Sequence, residues 1–380
     1  MERRDFLKIL AVAPGLGLSS SFVNAAVSFH RLLILIELKG GNDGLNTLIP
    51  YNDPLYSSLR PRIAIKREEV IQLLPNIGLH PALQGLLALW TQGELAIVQS
   101  VGYPQPNLSH FRSIEIWDTA SAASEYLDQG WLAWVFGQQP VPQGFLADGV
   151  LVGSSDLGPL NGARAIALQD VAKFGRQSLL AHSSEAQGNS SLRHILKVED
   201  DVAQAGKRLD TSFVFKTEFP KGAFGDAVHT GCAVLAGGQV AVLRLTLGGF
   251  DTHQNQSGTH ANLLRQLADG LLALRSALTE LNRWQDTLIL TYSEFGRRPR
   301  ENQSSGTDHG TAAPHFVLGG RVRGGVFGAS PVLGRLDGNG NLSHDIDFRR
   351  LYATIGEHWW GLPAGSMYGP RIRPLDILRV

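Results

Sequence analysis

Acids and histidines gather at four places in this chain, three of them where an apolar run has just ended. LLILIEL leads through KGGN to Asp43, VAVLRLTLGGF leads into DTH with Asp251 and His253, and TLILTY leads into SEFGRR with Glu294. GTDHGTAAP, just beyond, carries Asp308 and His309. Carboxylate oxygen and neutral imidazole nitrogen are donors suited to zinc or manganese, and ligands on strand-end loops can converge although distant in sequence. One Asp/His pair is weak ground for a site. Two pairs, with Asp43 and Glu294 at further strand ends, point to a centre of one or two divalent ions. The competing reading makes these residues loop caps and hydrogen-bonded turns. His260 and His315 read as structural histidines, with a supporting or alternate ligand role as the other reading.

A nucleophile stands in PNLSHFRS. Ser109 falls at a helix start, where free N–H groups and the helix dipole favour an anion and a metal would lower the hydroxyl's pKa. Arg112, one turn later, carries the fork of donors that grips phosphate or sulfate. A helix cap with a solvent-facing arginine is the alternative. Arg297 and Arg298, following Glu294, add positive charge beside the same crevice or satisfy the nearby acids.

The elements that must position these residues follow from patterning. Leu32 to Leu38, Glu94 to Val101, Val240 to Leu247 and Thr287 to Tyr292 are mainly apolar, contain β-branched residues and are bounded by turn residues, the mark of strands buried on both faces. Helices are expected near Pro81 to Leu89, from about Asn107, over Ala261 to Leu281 and after Asp347. Leu263, Leu264, Leu267, Leu271 and Leu274 recur at helical spacing and read as core. The fold class is therefore α/β, a mostly parallel central sheet with helices on both faces, and in such sheets ligands bind beyond the strands' carboxyl ends. DGNG, near Asp337, lacks the full ligand spacing of a calcium loop and reads as a turn and helix cap.

A chain of 380 residues, 43% hydrophobic, can bury a substantial core. Its 34 basic and 34 acidic residues balance, which removes the electrostatic case for nucleic acid or an anionic membrane as partner. The lone Cys232 excludes an intrachain disulfide and any multi-cysteine metal site. At the N-terminus, Arg3-Arg4 and then Phe6-Leu7-Lys8 precede a moderately apolar stretch, Ile9 to Leu18, and a small-residue region ending VNAA. This resembles a twin-arginine export signal over residues 1–26, with a basic amphipathic helix as the other reading. The apolar stretch is short for a membrane span, so the mature chain is expected to lack a stable one and to be periplasmic or secreted. Residues 27–380 then form one α/β domain, with an insertion or cap near 148–210, where AHSSEAQGNSS is polar.

The order of strand-end Asp, helix-start Ser, Asp/His pair, strand-end acid and a final His before Gly-Thr resembles the alkaline phosphatase-like superfamily of metallohydrolases, to which sulfatases also belong. More closely, GGNDGLNTLIP, NLSHFRS, GGFDTHQNQ, SEFGRRP and GTDHGTAAPHFVLGG resemble an uncharacterised bacterial branch of it. That branch is catalogued as a domain of unknown function and usually carries a twin-arginine signal. The resemblance implies an alkaline phosphatase-like fold, with Asp43 as a ligand of one metal, Ser109 as nucleophile, and Asp251, His253 and His309 around the other metal. Glu294 stands where the superfamily usually has Asp followed by His, and here the next residue is Phe295, which leaves the second site to Asp308, to weak occupancy or to loss. NLSHFR lacks the proline of the sulfatase motif and Cys232 lies elsewhere, which disfavours that route to sulfate-ester hydrolysis.

The expected function is an exported hydrolase of phosphate or related esters, dependent on zinc or manganese. Asp43, Asp251, His253, Glu294, Asp308 and His309 would bind metal, Ser109 would attack, and Arg112 would orient a small anionic ester. The twin-arginine export machinery is the expected protein partner. A noncatalytic exported binding or assembly protein that retains the fold is the alternative.

Overall fold

The computed structural model describes residues 27–168 and 212–379. The export signal expected over 1–26, and most of the insertion expected near 148–210, lie outside these residues. Fourteen strands run in chain order as β1 (Leu32–Lys39), β2 (Leu48–Ile49), β3 (Ile71–Leu74), β4 (Ile77–Leu79), β5 (Leu95–Gly102), β6 (Ala147–Val152), β7 (Ala165–Leu168), β8 (Val240–Gly248), β9 (Thr287–Tyr292), β10 (Arg297–Glu301), β11 (Thr307–His309), β12 (Ala313–Leu318), β13 (Gly325–Phe327) and β14 (Ile346–Asp347). Nine form the central sheet, in the order β13-β5-β12-β9-β1-β8-β6-β7 with β14 beside β5. Pairing is parallel throughout except along β12, which runs antiparallel to β5 and β9. The α/β class with a mostly parallel sheet is thus the observed one. Residues 147–168, the start of the expected insertion, supply two strands of this sheet through β6 and β7.

The alternation that makes β1 a central strand is visible in what it touches. Leu32, Ile34, Ile36 and Leu38 enter one apolar cluster, and Leu33 and Leu35 enter the other. Side chains of a strand point alternately to opposite faces, so a strand covered on both sides is apolar at nearly every position. Among the described residues, seven α-helices are named α1 (Pro54–Leu59), α2 (Leu87–Thr91), α3 (His110–Thr119), α4 (Trp131–Gln138), α5 (Ala223–Gly237), α6 (Gln256–Glu280) and α7 (Arg349–Ala353). The first cluster is capped by α5 and α6, where Leu263, Leu264, Leu267, Leu271 and Leu274 are buried, and the second by α3, α4 and the C-terminal segment. The helix expected over Pro81 to Leu89 is a 3-10 turn at Pro81–Leu86 followed by α2, because Leu83 leaves helical geometry (φ −94°, ψ 15°). No helix among the described residues is long and apolar enough to cross a membrane.

One charged group in the sheet is braced across three strands. Arg244 on β8 donates to the Glu37 carboxylate of β1 at 2.9 Å and to the Tyr292 hydroxyl of β9 at 2.9 Å, all three being buried. This ties together the strands whose ends carry the candidate site.

His315, on β12, is 2% exposed and packs edge-on against Trp117 with ring centroids 5.3 Å apart. Burial pushes its pKa down from 6.5 to about 3, so it stays neutral in the fold. The unfolded chain binds the proton first, and its contribution to stability, intact above pH 6.5, drains away as the pH falls toward 3. His315→Leu should therefore lose about 2 kcal/mol less stability than wild type between about pH 7 and pH 5. Urea midpoints at the two pH values measure this, and equal losses in both proteins would refute it.

Candidate metal centre

The strand ends are locked to one another before any ligand is placed. After β1 the chain turns through Gly40 and Gly41, at φ 117° and 79°. A Cβ on Gly40 would lie 2.4 Å from the Asp251 backbone nitrogen, so only glycine permits the two loops to approach this closely. The N–H groups of that turn point at Glu294. Its carboxylate accepts from Gly40 at 3.0 and 3.2 Å and from Gly41 at 3.2 Å. The same carboxylate meets His110 Nδ1 at 2.7 Å. Glu294 therefore stands behind a histidine, with both oxygens in use.

His110 is the first residue of α3, and it faces the Asp251 loop. Asp251 Oδ2 lies 3.5 Å from His110 Nε2, and Asp251 Oδ1 lies 2.9 Å from His253 Nε2 and 3.3 Å from His309 Nε2. The Nε2 atoms of His253 and His309 are 3.0 Å apart. Three ring nitrogens thus surround one carboxylate. The hairpin β10–β11 brings His309 here by pairing it with Arg297.

Hydrogen bonding fixes two of the tautomers. His309 Nδ1 donates to the Leu108 carbonyl at 2.8 Å, and a carbonyl can only accept. His110 Nδ1 donates to Glu294 in the same way. Each neutral ring is left with a bare Nε2 lone pair directed inward, and the buried His110 Nε2 has no hydrogen-bond partner. Lone pairs converging on a carboxylate repel unless a cation lies between them. Backing each imidazole with a carbonyl or carboxylate is how proteins orient metal ligands. His110, Asp251 and His309 can each offer one ligand atom, all within 4.8 Å of one another, and His253 Nε2 lies beside them. This donor set fits zinc or a similar divalent ion.

The shifts at Asp251 and His309 suit that role, whereas His110 must give up a proton that Glu294 favours. Burial resists ionisation of Asp251, but the Arg297 hydrogen bond and charge, then His253 and His309, outweigh it and hold the carboxyl at about 2. Burial and the Arg297 charge lower His309, against the pull of Leu108 and Asp251. The hydrogen bond to Glu294 raises His110 despite burial. Arg297 itself is buried and fully engaged. It donates to Gly41 O at 2.7 Å, to Gly40 O, to Phe250 O at 3.1 Å, to Thr307 O at 2.8 Å and to Asp251 Oδ1 at 2.6 Å.

Of the residues expected from sequence, the structure brings Asp251, His253 and His309 together. Asp308 stands behind His253, its Oδ1 3.7 Å from Nδ1, too long for a hydrogen bond, and it accepts from Asn302 at 3.2 Å. Asp43 is fully buried and paired with Arg60 at 2.6 Å. Burial alone would raise its carboxyl, and the Arg60 charge and hydrogen bond bring it below the usual range. Phe295 walls the centre, its ring centroid 4.8 Å from that of His110 and 4.6 Å from that of His309. Ser109 is the exposed residue capping α3, and its hydroxyl makes no capping bond. Its backbone N–H goes instead to Asn107 Oδ1 at 2.9 Å. Arg112 is buried, salt-bridged to Glu115 at 2.8 Å, bonded to the carbonyls of Ala123 and Glu125, and stacked 3.9 Å from the Tyr126 ring centroid. Its donors fasten the loop after α3. His260 is buried against Asn42 at 2.9 Å and His315 lies in the sheet. His110 is the residue that reading the sequence missed, although it stands beside Ser109 in NLSHFRS.

Residues 90–367 match the model of a family described as a protein of unknown function, DUF1501. The chain belongs to the DUF1501 family. Curated proteins include no match to its sequence. Among solved structures, the DUF1501 chain is similar to the C-terminal periplasmic domain of EptC from Escherichia coli in complex with zinc, at 10% identity and TM-score 0.44, covering 91% of this chain and 88% of that one. It is also similar to the lipoteichoic acid synthase LtaP from Listeria monocytogenes, at 11% identity and TM-score 0.41, covering 90% and 75%. A third similarity is to alkaline phosphatase from the Antarctic bacterium TAB5, at 12% identity and TM-score 0.34, covering 76% and 91%.

Proposed function

We propose that this DUF1501 protein is an exported metal-dependent hydrolase of phosphate or related esters, built as one α/β domain over residues 27–380, with Ser109 as its nucleophile. The observation that carries the reading is the convergence of three histidine Nε2 atoms on Asp251, two of them with their tautomers set from behind. His110, Asp251, His253 and His309 would hold the ion. Bound there, a divalent ion would polarise the ester oxygens and lower the pKa of a nearby hydroxyl.

The remaining work falls to the chain. Ser109 is the residue next to His110, exposed and with no cap bond to break before it attacks. Its oxygen, giving up its proton to solvent, would form the bond to phosphorus as the bond to the leaving oxygen breaks and that oxygen takes a proton from solvent; a water oxygen would then bond to phosphorus as the serine O–P bond breaks and the serine regains a proton. The N–H groups of the first turn of α3, which precede the Ser113 N–H to Ser109 carbonyl bond, would bind the substrate's anionic oxygens. Glu294 and the Leu108 carbonyl keep the two imidazoles aimed. Arg297 keeps Asp251 ionised. The export assignment rests on Arg3-Arg4 and the residues after them.

Ester turnover tests the reading. Protein purified without chelator should cleave a chromogenic phosphate mono- or diester, lose that activity on chelation, and regain it with zinc or manganese. Folded, metal-loaded protein that cleaves no ester would instead favour a noncatalytic binding protein.

A further inference from the structure

The acid that follows β1 already has a cation, and it is part of the chain. Asp43 is fully buried; its Oδ2 accepts from Arg60 Nη1 at 2.6 Å and from Gln256 Nε2 at 2.5 Å, while its Oδ1 has no hydrogen-bond partner. Arg60 is equally buried. Its guanidinium is held on three further acceptors, Asn46 Oδ1 at 2.9 Å, Pro299 O at 2.8 Å and Arg298 O at 3.1 Å. A guanidinium fixed by four acceptors in a dry pocket cannot swing aside to admit a metal ion. A divalent ion on the same carboxylate would face it at close range with little screening.

The other groups that could complete a second ion's shell are also committed. Both oxygens of Glu294 accept backbone N–H groups, and Oε1 also accepts from His110 Nδ1. Phe295 presents a ring, packed on His110 and His309. Among the described residues, a single group of three or more His, Cys, Asp or Glu side chains is arranged to hold an ion. Gln256 connects the two regions. It donates to Asp43, while its Oε1 accepts from Thr252 at 3.1 Å and Thr307 at 2.6 Å, the neighbours of Asp251 and Asp308.

We infer that the centre takes one divalent ion per chain, and that Arg60 is a fixed cation serving Asp43 where a second ion would otherwise bind. The inference rests on the metal-centre reading above. Asp43 and Arg60 are thus positioning residues, which hold the β1 turn and, through Gln256, the two ligand loops.

Metal stoichiometry decides it. Wild-type protein is loaded with excess zinc, freed of loose metal, and measured by native mass spectrometry and elemental analysis, alongside Asp43→Asn. One ion per chain in both is expected. Two ions in wild type and one in Asp43→Asn would overturn the inference and leave the metal centre standing. No bound ion in folded wild type would overturn both. Should Asp43→Asn fail to fold because Arg60 is left unpaired, the double variant Asp43→Asn/Arg60→Gln removes both charges and must again hold one ion.

Discussion

His110→Ala should bind zinc more than about a hundredfold more weakly than wild type while staying folded. Loss of a partner that only orients a metal ligand costs roughly 10- to 100-fold in affinity, and loss of a ligand itself costs more. The imidazole is part-exposed on the first turn of α3, and its contacts are Glu294, Asp251 and the rings of Phe295 and His309. None of these belongs to the apolar clusters that hold the sheet except through neighbouring residues, so the fold survives its removal. Competition against a chelating dye gives the affinity and circular dichroism the fold. Wild-type affinity in this variant would show that the three-histidine arrangement is not a metal site.

The second large effect concerns turnover alone. Ser109→Ala should reduce kcat on a phosphate ester by about 10³-fold or more, as removal of a nucleophile does. Zinc content and melting temperature should be unchanged, because the residue is exposed and its hydroxyl makes no cap bond. Asn107 Oδ1 accepts the Ser109 backbone N–H, a bond that alanine keeps. Undiminished kcat in Ser109→Ala would transfer the attack to water and leave the metal centre as the catalytic element.

How much of this was legible in the sequence depends on the range over which each interaction acts. The strands β1, β5, β8 and β9 could be read because a strand covered on both faces needs apolar residues at nearly every position, a purely local requirement. The strand β7 could not, since AIAL is short and takes its place only by pairing with β6. Asp43 and Glu294 were correctly seen as strand-end acids. What they bind was hidden, because it depends on Arg60 and on the N–H groups of Gly40 and Gly41, and neither a backbone donor nor a partner brought in by folding is written in residue type. His110 escaped for a related reason. Beside Ser109 it read as an ordinary helix residue, and only the approach of the Asp251 loop to the start of α3 shows where its ring points.

Arg60 also bears on how such a protein is made. A cation built into the chain is present from translation onward, needs no uptake system, and cannot be stripped by a chelator or exchanged for a competing metal. The loops around Asp43 can therefore take their final shape in a cell starved of zinc, with supply and selectivity left to matter at a single position.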